Sequence, residues 1–229
     1  MLTNSSCWRR AFYIAALVSA VSVAEATPAQ DDRGARSVRD YDALLDAILP
    51  RDLNGTAYAF ALRLTPSFRL ESQLLVRIED GGKVRAELAQ VTGTSAWEAL
   101  LARLETGRSF TIGDLARTIE VEKHAIAVDL ATVQRWQDSL LDASRASVDE
   151  LQQRAQASRR SRDDSLSFVL DGTLGELWYS QRGVAVHWGP FHVPEAGEKP
   201  NRDVHVPLAG WMTETMEAAQ RRVGRRQPQ

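Results

Sequence analysis

The chain has 229 residues, with 28 Lys and Arg against 30 Asp and Glu and one cysteine. That length is enough for one domain with a sizeable core, and the near balance of charge excludes the strongly basic surface that nucleic-acid binding uses. A lone cysteine, Cys7, excludes an internal disulfide framework, a Cys-ligated zinc site and iron–sulfur chemistry.

The first 26 residues read as a cleaved signal peptide. Arg9 and Arg10 supply a positive start, Ala11 to Val23 is an apolar run, and Ala24-Glu25-Ala26 places small residues where a signal peptidase reads. The run is too short for a bilayer span of about 20 residues. The expectation is export to the periplasm or beyond the cell, with no transmembrane span after cleavage near Ala26. The mature chain then has 203 residues (229 less 26) and no cysteine. Its formal charge is −3, from 26 basic residues (28 less Arg9 and Arg10) against 29 acidic ones (30 less Glu25).

Residues 27–39 are polar and read as a disordered linker. Asp40 is placed to cap a short helix that buries Tyr41, Leu44, Leu45 and Ile48 and stops at Pro50. Strands follow. Tyr58, Phe60, Leu62 and Leu64 share one parity, as do Leu70, Leu74, Val76 and Ile78, while Arg69, Glu71, Gln73, Arg77 and Glu79 take the other. Val84, Ala86 and Leu88 alternate with Lys83, Arg85 and Glu87 after an Asp80-Gly81-Gly82 turn. This is the pattern of an antiparallel sheet with one solvated face.

Thr94 or Ser95 caps a helix to about Glu105, and residues 118–128 predict another strand. The longest helical pattern runs from Asp129 to about Ser158, with Val133, Trp136, Leu140, Ser144, Val148 and Leu151 on one face. Ser147 and Glu150 have capping-box spacing, which predicts a break near Arg145. Residues 166–188 read as a three-strand meander, turning at Asp171-Gly172 and at Gln181-Arg182-Gly183. A short edge strand is expected at 204–206. Pro207 then opens a helix to about residue 220 that buries Leu208, Trp211, Met212, Met216 and Ala219. Residues 221–229 read as a disordered basic tail. The fold class is α+β: a single antiparallel sheet of about six or seven strands, with helices near 95–105, 129–158 and 207–220 packed on one face, in one domain from 40 to 220.

Chemistry is sparse. Phe168-Val169-Leu170-Asp171-Gly172-Thr173-Leu174 resembles the Asp-x-Asp-Gly-Thr motif of the haloacid-dehalogenase-like phosphatases. Val169 stands where that family has its nucleophilic aspartate, so the resemblance lacks its essential residue and implies no phosphatase. There is no Gly-x-Ser-x-Gly elbow, His-Glu-x-x-His helix, Ser-x-x-Lys or phosphate-cradling loop. His187, His192 and His205 crowd together near Glu176, Glu195, Glu198 and Asp203, but at no strong metal-ligand spacing. No catalytic, cofactor or metal residue is therefore assigned.

The residues assigned to ligand contact are Trp178, Tyr179, His187, Trp188 and His205, since aromatic side chains on a sheet can anchor a ligand or a partner. The leading expectation is an exported, non-enzymatic binding or protein-interaction domain for an unknown ligand or protein partner. One alternative is an exported hydrolase using carboxylates or a His187/His205 site. Another is a cell-envelope accessory protein that docks through helix 129–158.

Overall fold

The computed structural model describes residues 28–51, 58–66, 70–79, 81–160, 172–181, 184–194 and 205–224. The signal-peptide segment, the proposed strand at 166–170 and Val204 lie outside them. The chain divides into two compact units, residues 1–50 with 93–120 and residues 51–92 with 121–229.

The first unit is helical. α1 (Pro28–Ile48), α2 (Ala96–Glu105) and α3 (Ile112–Ala116) bury Leu44, Leu45, Ile48, Leu49, Ala96, Leu100 and Leu115. α1 begins at Pro28, so residues 28–39 are helical where their polarity suggested a disordered linker. Proline suits the first turn of a helix, whose N–H groups have no partner within it, and Arg36 pairs with Asp40 one turn on at 3.8 Å. Tyr41 meets Trp97 edge-on at 5.2 Å. Ser95 is the α2 cap: its hydroxyl accepts from Glu98 N, and Glu98 accepts from Ser95 N, a closed capping box.

The second unit holds one six-stranded antiparallel sheet in the order β4-β3-β2-β1-β5-β6. The strands are β1 (Tyr58–Pro66), β2 (Ser72–Ile78), β3 (Val84–Thr92), β4 (Glu120–Ile126), β5 (Thr173–Gln181) and β6 (Val184–Val193). Register follows the predicted parity. Phe60 pairs with Val76 and Tyr179, and Leu62 with Leu74 and Leu177. These residues bury one face with Ala86, Leu88 and Val193.

Two helices cover that face. α4 (Leu130–Arg160) supplies Val133 and Leu140, and α5 (Pro207–Gly224) supplies Leu208, Trp211, Met212, Met216 and Ala219. Phe60 takes Trp136 and Trp211 edge-on at 6.3 and 5.9 Å. α2, expected on this face, groups with α1 and α3 in the first unit.

α4 does not break at Arg145. Ser147 is buried and spends its hydroxyl otherwise: it donates to Ala143 O one turn back, at 2.7 Å, and accepts from Leu208 N at 2.8 Å. The residue that looked like a local cap therefore caps α5 from a neighbouring helix. Asp129 is the cap of α4, accepting from Thr132 N at 2.7 Å. α5 runs through Gly224, so Arg221 and Arg222, read from sequence as the start of the tail, belong to its last turn. Arg221 pairs with Glu217 at 3.0 Å and Arg222 donates to Ala127 O at 3.1 Å. Cations are favoured at a helix C-terminus.

At Gly175 and Gly189 the backbone comes close. A Cβ on Gly175 would lie 2.6 Å from Val193 Cγ1 and 2.7 Å from Met212 Sδ. Gly189, at φ +111°, would place one 2.6 Å from Gly175 O. The β5–β6 register shifts at this level, between Gly175 and Leu177, and Gly189-Pro190 forms a β-bulge there.

Candidate functional site

The sheet face opposite α4 and α5 departs most from the sequence reading. Alternation predicted it as the solvated side. Instead Arg63 is 2% exposed, and Glu71, Gln73 and Glu176 are buried with it. Arg63 is the one charged residue of β1, whose direct cross-strand partners there are Gln73 on β2 and Glu176 on β5. Its Nη2 donates to Gln73 Oε1 at 3.4 Å.

One row along, Ala61 lies between Leu75 and Trp178, and Trp178 pairs with His187. The indole and imidazole stack at 4.8 Å and 10°. Arg51 Cζ sits 4.0 Å from the indole centroid and Arg63 Cζ 5.0 Å from it. His187 Nε2 is 3.3 Å from Glu176 Oε1, within ion-pair range when the imidazole is protonated. Guanidinium, carboxylate, amide, imidazole and indole thus form one polar seam across β2, β1, β5 and β6. Contacts of the guanidinium-on-indole kind contribute about 0.5–2 kcal/mol each. The seam also keeps Arg63 from being an isolated buried charge, which would be far more costly.

Trp178 is therefore engaged by three neighbours and is not an open stacking platform. Among the described residues, His187 Nε2 is buried and makes no hydrogen bond beyond its approach to Glu176.

The five residues assigned from sequence divide among three places. Trp178 and His187 lie together in the seam. Tyr179 and Trp188 lie on the opposite face, packed against the core. The Tyr179 hydroxyl accepts from Gln137 Nε2 of α4 at 3.4 Å; burial pushes the phenol's pKa up, against a smaller lowering by that hydrogen bond. His205 is apart from both. It precedes α5 and its carbonyl accepts from Arg154 of α4 at 3.2 Å.

Around His205 a groove of about 1160 Å³ opens between α4 and the start of α5, lined by Asp149, Glu150, Arg154, Trp211 and Glu214 among others. Arg154 is held there by Glu150 at 2.5 Å. His192, paired across the sheet with Leu174, has a buried Nδ1 without a hydrogen-bond partner. Its pKa is lowered, by burial first and by the nearby His205 second. Among the described residues no three His, Cys, Asp or Glu side chains gather as a metal-binding set.

Comparison with protein-family models, curated proteins and solved structures returns no match. Site assignment therefore rests on the chain's own geometry.

Sequence reasoning missed the centre of the seam. The available signal was Arg63 itself, a single charge in the otherwise uncharged strand Tyr58–Pro66. It also missed the edge of the sheet. Val184 is 64% exposed and Val186 37%, on β6, which ends the strand order. On α4 the predicted apolar stripe is covered only in its first half: Val148 and Leu151 are exposed. Among the described residues no helix is long and apolar enough to cross a membrane.

Proposed function

We propose that this chain is an exported, non-enzymatic protein-interaction domain whose docking face is the β6 edge together with the exposed apolar stripe of α4. The observation that carries the reading is the exposure of Val184 and Val186 on the strand that ends the sheet among the described residues. An exposed β-branched edge is a surface on which a partner's strand can pair. The stripe supports the same reading: Leu151 lies 18 residues, five full helical turns, beyond Val133 and so on the same side of α4. Val133 is fully buried and Leu151 is 42% exposed. The apolar side of α4 outruns the core beneath it, as a helix with a partner would.

Export rests on Arg9-Arg10, the apolar run to Val23 and Ala24-Glu25-Ala26. Of the alternatives, docking through helix 129–158 merges with this reading.

A photo-crosslinking residue placed at Val186 or Val148 in the producing cell tests the docking face. Adducts of the same defined mass from both positions, and none from exposed Arg108, are expected. Absence of adducts at both, or equal labelling from Arg108, would refute it. Mass spectrometry of the recovered protein tests cleavage after Ala26; an intact Met1 would exclude it.

A further inference from the structure

The two edges of the sheet differ in charge. β4 carries Glu120, Glu122 and Lys123 in seven residues, the device by which natural sheets keep further strands from adding. β6 carries no Lys, Arg, Asp or Glu along its ten residues. Its first three, Val184, Ala185 and Val186, are all exposed. Among the described residues, one edge of the sheet is guarded by charge and the other is open.

We infer that the occupant of the open edge is a second copy of this chain, with two β6 strands pairing antiparallel about a two-fold axis to join two six-stranded sheets into one. The inference rests on the reading of β6 as a docking edge and names its partner. Its support is self-complementarity. Ahead of the Gly189-Pro190 bulge, Val184 to Trp188 is a regular run, and Pro190 has no N–H with which to extend pairing. An axis at Val186 uses the whole run. Val186 then meets Val186 of the partner subunit, Val184 meets Trp188 of the partner subunit, and Ala185 meets His187 of the partner subunit.

The pairs match face for face. Val184, Val186 and Trp188 belong to the side covered by α4 and α5, as the pairing of Val186 with Tyr179 and of Trp188 with Leu177 shows. Ala185 and His187 belong to the side of the seam. No pair sets carboxylate against carboxylate or guanidinium against guanidinium, the arrangement that disfavours cross-strand pairing. A formal charge of −2 on the whole chain adds little long-range repulsion between copies. The contact is isologous and closes on itself, so it gives a dimer and not a fibre.

Sedimentation equilibrium of the full chain across the micromolar range tests this, with Val186→Lys, Val186→Thr and a Cys7→Ser/Val186→Cys variant alongside. Val186 is exposed, so its variants should keep the wild-type circular dichroism. The wild-type chain and Val186→Thr should be dimeric. Val186→Lys, which sets two ammonium groups against each other at the axis, should weaken the dimer at least about tenfold. The cysteine variant should form a 186–186 disulfide on mild oxidation. A wild-type chain that stays monomeric overturns the pairing, and so does a dimer indifferent to Val186→Lys. In either case crosslinks from Val186 to a different protein would leave the docking face itself standing.

Discussion

Replacing Ser147 by alanine isolates the contact that joins α4 to the start of α5. The Ser147 hydroxyl is buried and is the acceptor for Leu208 N at 2.8 Å. Leu208 N is one of the first N–H groups of α5 and has no acceptor within its own helix. Ser147→Ala strands that donor out of reach of water, a loss of about 1–3 kcal/mol. Alanine returns about 0.5 kcal/mol through better helix propensity, so the net cost is about 0.5–2.5 kcal/mol. For a chain of this size that lowers Tm by about 1–10 °C.

Ser139→Ala is the internal control. Ser139 also accepts from α5, from Trp211 Nε1 at 3.0 Å, but it is solvent-exposed. Water can replace its hydroxyl, so the change should stay within about 0.5 kcal/mol. Urea unfolding followed by far-UV circular dichroism reads both. A neutral Ser147→Ala, or a Ser139→Ala that costs as much, would refute the assignment of Ser147 as the cap of α5.

Three further outcomes follow from the packing. Arg63→Leu leaves the Glu176 carboxylate buried without its cross-strand guanidinium and should cost about 3–5 kcal/mol; Arg63→Leu/Glu176→Leu should recover most of it, as urea midpoints would show. Gly175→Ala drives a methyl into Val193 Cγ1 and Met212 Sδ and should cost about 1–3 kcal/mol, partly restored by Val193→Ala. His192 has a pKa below its ordinary 6.5, so below pH 6.5 the unfolded chain binds a proton that the folded chain does not. Its contribution to stability therefore falls as pH drops from 6.5 toward the lowered value, and His192→Phe should flatten that part of a stability–pH curve measured by urea titration.

Much of the fold was legible in the chain. Period-two alternation in residues 58–64, 72–78 and 84–88 set the strands and their inward residues, because a strand must turn alternate side chains to the same face. The 3.6-residue period of 207–220 named the buried side of α5, with Pro207 as its start. The uncharged composition of β6 and the charges of β4 are likewise facts of sequence.

Three things were decided only by tertiary structure. Alternation separates apolar from polar sides but cannot say whether the polar side meets water, so the burial of Gln73 and Glu176 was decided by packing, with the lone charge of Arg63 in β1 as the one hint in the sequence. Helical periodicity names the stripe of α4 but not the length of core beneath it, so Val133 and Leu151 read alike and differ in exposure. Ser147 has the spacing of a local cap, and only the approach of α5 gives its hydroxyl another donor. Sequence fixes which groups share a side because that is local geometry; what each side faces depends on which distant segment arrives there.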